Sequence, residues 1–139
     1  MTDRIFVDTS ILVRAHDLDA GERRAVAQHI LLQLWDDKTG VLGALVLQEF
    51  YASLVGRSES PVPRRAAREL VDAYRVWPTV ALEPADILAA SELEERHRLP
   101  FRDAMIVAAA RKARATVLLS EQILPARHIT GLDVQNPFS

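Results

Sequence analysis

The sequence predicts an α/β fold in which a mainly parallel sheet carries helices on both faces. Apolar runs of strand length, such as Ile5-Phe6-Val7 and Val117-Leu118-Leu119, alternate along the chain with longer segments of helical periodicity. Strands that alternate with helices are joined by crossover connections, and those make neighbouring strands parallel. The length of 139 residues, against about 150 residues per domain, leaves room for one core. The chain is therefore expected to be a single domain over residues 1–139.

Ile5-Phe6-Val7 reads as a buried strand that ends near Asp8, because Asp8-Thr9-Ser10 is a run of helix-capping residues. Ile11, Leu12 and Val13 begin a short helix. A second helix is expected from Glu22 to Trp35, where Val26, Ile30, Leu31 and Leu34 recur at spacings of four, one and three, and Asp36-Asp37-Lys38-Thr39-Gly40 stops it. Val41-Leu42 is a brief strand, and Ala44 to Val55 a mostly apolar helix with Gly56 as its C-cap. The turn residues of Arg57 to Pro63 make a loop before an Arg-rich helix from Arg64 to Tyr74. Trp77 to Leu82 is the next strand. Pro84 suits the first turn of a helix running to His97. Pro100 breaks the chain ahead of a helix from Arg102 to Lys112, in which Ala104, Met105, Ala108 and Ala109 form a stripe able to pack closely. Thr116 to Leu119 is a buried strand and Gly131 to Val134 a last short one.

Composition excludes several classes. With 49% apolar and 26% charged residues, 5 Gly and 7 Pro, the chain is neither disordered nor fibrous. Cysteine is absent, which removes disulfides, thiol catalysis and Cys-ligated metal sites. The net charge of −2 supplies no global basic field, so any nucleic-acid contact has to be local. The opening Met-Thr-Asp-Arg-Ile-Phe lacks a secretory pattern and no apolar run is long enough to span a bilayer, so a cytoplasmic protein is expected.

Four acids stand out. Asp8 and Glu121 fall at the carboxyl ends of predicted strands, where open parallel sheets bind their ligands, while Glu49 and Asp103 sit in largely apolar helical segments. Each has an ordinary use: Asp8 as a helix cap, Glu49 as an exposed helical residue, Asp103 at a helix dipole, Glu121 in a loop. Gathered together, however, like charges raise one another's pKa values unless a cation neutralises them. A hard divalent ion such as Mg²⁺ or Mn²⁺, with its preference for oxygen ligands, suits such a cluster and phosphodiester chemistry.

The residues around these acids resemble the PIN-domain ribonucleases, and among them the VapC-type toxins of toxin–antitoxin modules. Phe6-Val7-Asp8-Thr9-Ser10-Ile11-Leu12 is similar to the family's opening strand and first acid, and Leu47-Gln48-Glu49-Phe50 to the helix with the second. Phe101 to Ala110 resembles the segment with the third, and Val117-Leu118-Leu119-Ser120-Glu121 with Asn136-Pro137-Phe138 the end of the family. The resemblance implies a three-layer α/β/α sandwich and Mg²⁺- or Mn²⁺-dependent endonucleolytic cleavage of RNA. It also implies homodimers and neutralisation by a VapB-type antitoxin. On the same basis Asp8, Glu49 and Asp103 are metal ligands and catalytic residues, with Glu121 as a fourth. Ser120 would be a hydroxyl donor, and Thr9 and Ser10 would order Asp8. One departure matters, since Ser120-Glu121-Gln122 stands where the pattern has Ser-Glu-Asp. Either Glu121 supplies the fourth carboxylate or the site runs on three.

The alternative is a catalytically weak PIN-like module that binds RNA or protein without cutting. A haloacid-dehalogenase-like phosphatase would need an acid where Ser10 stands, and a response-regulator receiver would need an Asp that Thr79-Val80-Ala81-Leu82 does not provide. His16, His29, His97 and His128 share no motif and are expected at the surface. Arg64, Arg65, Arg68 and Arg75 form either a phosphate-binding face or one balanced by Glu69 and Asp72. Arg14, Arg102, Arg111, Lys112, Arg114 and Arg127 are further candidate phosphate contacts. Trp35, Trp77, Phe50 and Tyr51 are expected in core or dimer contacts rather than stacked on bases.

Overall fold

A computed structural model describes residues 3–123, 129 and 131–139. The elements follow in the order β1 (Ile5–Val7), α1 (Thr9–Ala15), α2 (Glu22–Asp37), β2 (Gly40–Gly43), α3 (Ala44–Val55), α4 (Arg64–Tyr74), β3 (Thr79–Val80), α5 (Pro84–His97), α6 (Phe101–Lys112), β4 (Val117–Leu119) and β5 (Asp133–Gln135). The strands form one sheet in the order β3-β2-β1-β4-β5, and every neighbouring pair is parallel. β1 sits at the centre, with Phe6 opposite Val41 of β2 and Leu118 of β4.

The chain steps from β1 to β2 to β3 in one direction across the sheet and returns past β1 to reach β4. Right-handed crossovers therefore put α1 to α4 on one face and α5 with α6 on the other. The packing agrees, since α1 contacts α2 and α3, α3 contacts α4, and α5 pairs with α6. This is the three-layer α/β/α arrangement. Phe6 and Leu118 from the sheet are fully buried, as are Phe50 of α3 and Ile106 of α6. Burying each such side chain contributes about 1.5–3 kcal/mol. Residues Ala104 and Ile106 to Ala110 are all buried, because small side chains let α6 lie close to the sheet and α5.

Differences from the sequence reading lie at element edges. α2 continues through Asp37 and ends on Lys38 in the left-handed region, at φ 58°. Gly40 lies inside β2 rather than in the stop signal: a Cβ there would fall within the Trp77 ring, which packs on Trp35 and Tyr74. β3 keeps only two residues of the expected six, because Trp77 turns into the core and Pro78 joins the ladder solely through its carbonyl, which accepts from the Leu42 amide. β5 begins at Asp133, after Gly131 turns the chain at φ 80°.

His29 is exposed, as expected, and His128 lies outside the described residues. His16 is a correction. It is half-buried against Phe50 and Tyr74 (ring centroids 5.3 and 5.7 Å) and shares a 2.8 Å hydrogen bond between Nε2 and the Tyr74 hydroxyl. The short α1 ends against α3, and this end of α1 packs inward. Burial, followed by the charges of Arg57 and Arg24, lowers the His16 pKa from its ordinary 6.5. The unfolded chain therefore binds this proton more readily than the folded one. Stability is fully present above pH 6.5 and is lost as pH falls from there toward the lowered folded value. Urea unfolding of the wild type across this range is expected to show that loss, and His16→Gln should flatten it.

Candidate active site

The centre of the sheet is a switch point: the chain leaves β1 toward β2 on one side, while β4 flanks β1 on the other. The carboxyl ends of β1 and β4 therefore frame a crevice. Asp8 extends β1 by one more backbone bond, its N–H donating to Leu119 O at 2.9 Å, and Ser120 extends β4 toward Gln135 in the same way. Their side chains meet there, with Ser120 Oγ donating to Asp8 Oδ2 at 2.7 Å. Both residues are fully buried. Asp8 is also the N-cap of α1, and its Oδ1 accepts from the Thr9 amide at 2.7 Å. The capping use and the site use of this residue coexist.

Glu49 reaches the crevice from the second turn of α3, and Asp103 from the first turn of α6. One side chain ties them to Asp8. Arg102 Nη2 donates to Asp8 Oδ1 and Glu49 Oε1, each at 2.6 Å, and to Thr9 Oγ1 at 3.0 Å. Its Nη1 donates to Asp8 Oδ2 at 3.2 Å and Asp103 Oδ1 at 3.3 Å, and its Nε to Glu49 Oε2 at 3.0 Å. Thr9 Oγ1 donates to Glu49 Oε1 at 2.6 Å. Burial pushes the Glu49 pKa up, but bonds from Arg102 and Thr9 and the guanidinium's charge outweigh it and hold the carboxyl below its usual value. Burial opposes charge on Arg102 as well, yet Glu49 and Asp8 hold its pKa above the ordinary arginine value.

The structure thus brings Asp8, Glu49 and Asp103 together and sets Glu121 apart. Glu121 lines the same cleft but forms a bidentate pair with Arg14 (Nε to Oε2 and Nη2 to Oε1, both 3.0 Å) and a further bond to Arg23 Nη1 at 3.0 Å. The Arg14 bond chiefly lowers the Glu121 pKa, against burial and with help from both arginine charges. Ser120 offers no free hydroxyl to a ligand: its hydrogen goes to Asp8, and its oxygen accepts from the amides of Gln122 and Ile123 at 3.1 and 3.0 Å. Ser10 Oγ accepts from the Glu121 amide at 3.1 Å, so Thr9 and not Ser10 orders Asp8. The exposed Gln122 side chain lines the cleft mouth.

Sequence reasoning listed Arg102 only among the phosphate contacts and missed its place at the centre of the acids. The signal was present: a cation beside Asp103 in an otherwise apolar stretch. Of the other basic residues, Arg65 pairs with Glu69 at 3.9 Å and Arg75 with Asp72 at 3.0 Å on the exposed face of α4, which supports the balanced-face reading. Lys112 bonds to Asp86 and to the Ala81 carbonyl, both at 2.7 Å, while Arg127 lies outside the described residues. Phe50 and Trp77 are buried and cannot stack on bases; Trp35, half-exposed, packs on Trp77 near Gly40, at the opposite edge of the sheet.

Three carboxylates carry −3 and the guanidinium +1, and of these groups Glu49 and Arg102 line a cleft of about 370 Å³. The hard oxygen donors fit Mg²⁺ or Mn²⁺, and their excess of negative charge is what such an ion would neutralise. Their arrangement does not yet form a cage. Among the described residues no three acids converge as a ready ligand set, because Arg102 lies between them.

The family profile for the PIN domain matches residues 5–122. In fold the chain is similar to a toxin–antitoxin complex from Klebsiella pneumoniae, at 19% identity over 96% of this chain and 97% of that one, with a TM-score of 0.68. It is also similar to VapC20 of Mycobacterium tuberculosis, a sarcin-ricin loop cleaving toxin, at 24% identity over 82% and 86% and a TM-score of 0.63. VapBC2 of Rickettsia felis, bound to a DNA fragment from its promoter, matches at 17% identity over 95% and 97% with a TM-score of 0.68. No curated protein sequence matches the chain significantly.

Ser120→Ala removes the donor to a buried carboxylate and the acceptor for two loop amides. It is expected to destabilise the fold by about 2–3 kcal/mol, measured by urea unfolding, which is more than a surface Ser→Ala change costs.

Proposed function

The chain belongs to the PIN domain family, and from that premise we propose that it is a Mg²⁺- or Mn²⁺-dependent endoribonuclease, the toxin of a VapBC-type toxin–antitoxin pair. The observation that supports this reading best is that Asp8, Glu49 and Asp103, from three different elements, all pair with the one guanidinium of Arg102 near the carboxyl ends of β1 and β4. The similar fold of a sarcin-ricin loop cleaving toxin supports RNA as the substrate class. The toxin–antitoxin complexes of the same fold support a VapB-type protein as the partner. A homodimer built from one domain per chain, acting in the cytoplasm, belongs to the same proposal.

Asp8, Glu49 and Asp103 are the residues to hold the ion, and Glu121 could join only by giving up Arg14 and Arg23. A bound divalent ion supplies activation of water and compensation of the charge that develops at the phosphorus. The protein's own groups set the geometry. Thr9 and Ser120, donating to Glu49 and Asp8, fix those carboxylates in orientation, and the Thr9 bond helps hold the Glu49 carboxyl below its usual pKa. Asp103 points in from a different helix on the opposite face, so the ligands are held by both helical layers. Arg14, partly exposed at the cleft, offers a guanidinium to a backbone phosphate, a contact that positions RNA without reading its sequence.

Purified protein incubated with total RNA is expected to cleave in Mg²⁺ or Mn²⁺ and to be silent in EDTA. Asp103→Asn should lower the rate by on the order of a hundredfold or more while the protein remains folded. Absence of cleavage in every condition by folded, antitoxin-free protein would point instead to the non-cutting module. RNA binding indifferent to metal would then be its signature.

A further inference from the structure

Arg102 is a charged group at the centre of the acids that the chemistry above does not use. All three of its guanidinium nitrogens are engaged with the acids or their support: Nε with Glu49, Nη1 with Asp8 and Asp103, Nη2 with Asp8, Glu49 and Thr9. We propose that Arg102 is a built-in counter-ion of the carboxylate pocket, holding it assembled without metal and having to withdraw before a divalent ion can enter. The proposal rests on the reading of these acids as metal ligands.

Three observations carry it. The first is lone-pair occupancy. Asp8 Oδ1 accepts from the Thr9 amide and from Arg102, and Oδ2 from Ser120 and from Arg102, which fills the roughly four acceptor sites of a carboxylate. An ion can reach Asp8 only by displacing one of these. The Thr9 amide is fixed backbone at the start of α1 and Ser120 is fully buried, whereas the Arg102 side chain is 24% exposed on a flexible stem. Arg102 is therefore the partner that can leave.

The second is position on the helix. Arg102 stands in the first turn of α6, at the end where the helix dipole is positive and a cation is disfavoured. The acids hold it there against that field, and once they ligate a divalent ion most of that attraction is offset. The third is the exit, since Arg102 lines the open cleft together with Arg14 and Gln122. A guanidinium swung outward remains at the cleft mouth, where it can meet a phosphate. Metal entry and guanidinium release are then one coupled event, and the protein's affinity for metal is set below that of the same acids without Arg102.

The test uses the full chain and the metal alone. Mn²⁺ titrations by calorimetry on wild type, Arg102→Met and Arg102→Lys are expected to give about tenfold or tighter binding for Arg102→Met, with Arg102→Lys between. In EDTA the order of melting temperatures should reverse, wild type highest and Arg102→Met lowest, because the acids are then left to repel. In the wild type the Arg102 Nε–H signal, slow to exchange in EDTA, should lose its protection as Mg²⁺ is added. This readout needs no variant, so it decides the question with Arg102→Lys should Arg102→Met fail to fold. Saturable Mn²⁺ binding that is equal or weaker in Arg102→Met overturns the counter-ion role, as does an Nε–H signal that stays protected while Mg²⁺ binds. No metal binding by wild type and variants alike overturns the reading of the site itself, and the counter-ion role falls with it.

Discussion

Like charges at the end of a parallel sheet set the terms for everything around them. Asp8 is completely buried, and an unpaired carboxylate in such a place costs several kcal/mol even after the protein relaxes. Glu49 and Asp103 stand close enough to share its guanidinium, which adds mutual repulsion to the cost of desolvation. The surroundings answer with donors: a backbone amide, two hydroxyls and the nitrogens of Arg102. A well-packed apolar cluster of the same volume would be as stable or more so. The acids are thus poorly explained by stability and better explained by what their charge can bind.

The topology makes this gathering possible. Each acid arrives on a different element, from the end of β1, from α3 on one face and from α6 on the other, and only a sheet covered on both faces lets them meet at one edge. The two edges are built from different material. At the amino ends Trp77 packs over Gly40 with Trp35 and Tyr74, an aromatic seal with no room for a Cβ. At the carboxyl ends the chain places hydroxyls and carboxylates in a cleft. The buried small residues of α6 link the two demands, because close packing of that helix fixes where Arg102 and Asp103 begin.

What the sequence made legible follows the strength of local signals. β1, α3, α4 and α5 are where apolar runs, periodicity and Pro84 place them, since burial and propensity there agree. Asp8 was read from a strand end and the resemblance grouped it with Glu49, Asp103 and Glu121; in the structure the first three share Arg102. β3 shrank because Trp77 served the core better than the sheet, a tertiary choice that β-propensity does not encode. His16 went inward for the same kind of reason, the nearness of Phe50 and Tyr74, which are distant in sequence. Arg102 and Glu121 were misjudged in partnership rather than in type. A charged residue advertises its charge in the sequence, but not which of many opposite charges it will meet.

That partnership gives the cleft a polarity. On its floor Asp8, Glu49 and Asp103 outweigh Arg102 by two negative charges. At its lip Glu121 pairs with both Arg14 and Arg23, Asp17 also acts on Arg14, and the neighbouring Gln122 adds no charge. With Gln122 neutral, the carboxylates around Arg102 number three among the described residues, and the further acid Glu121 is engaged by arginines. Glu121 therefore has a structural use of its own. Holding two arginines at the entrance is a use for its charge that the floor, already short of cations, does not require.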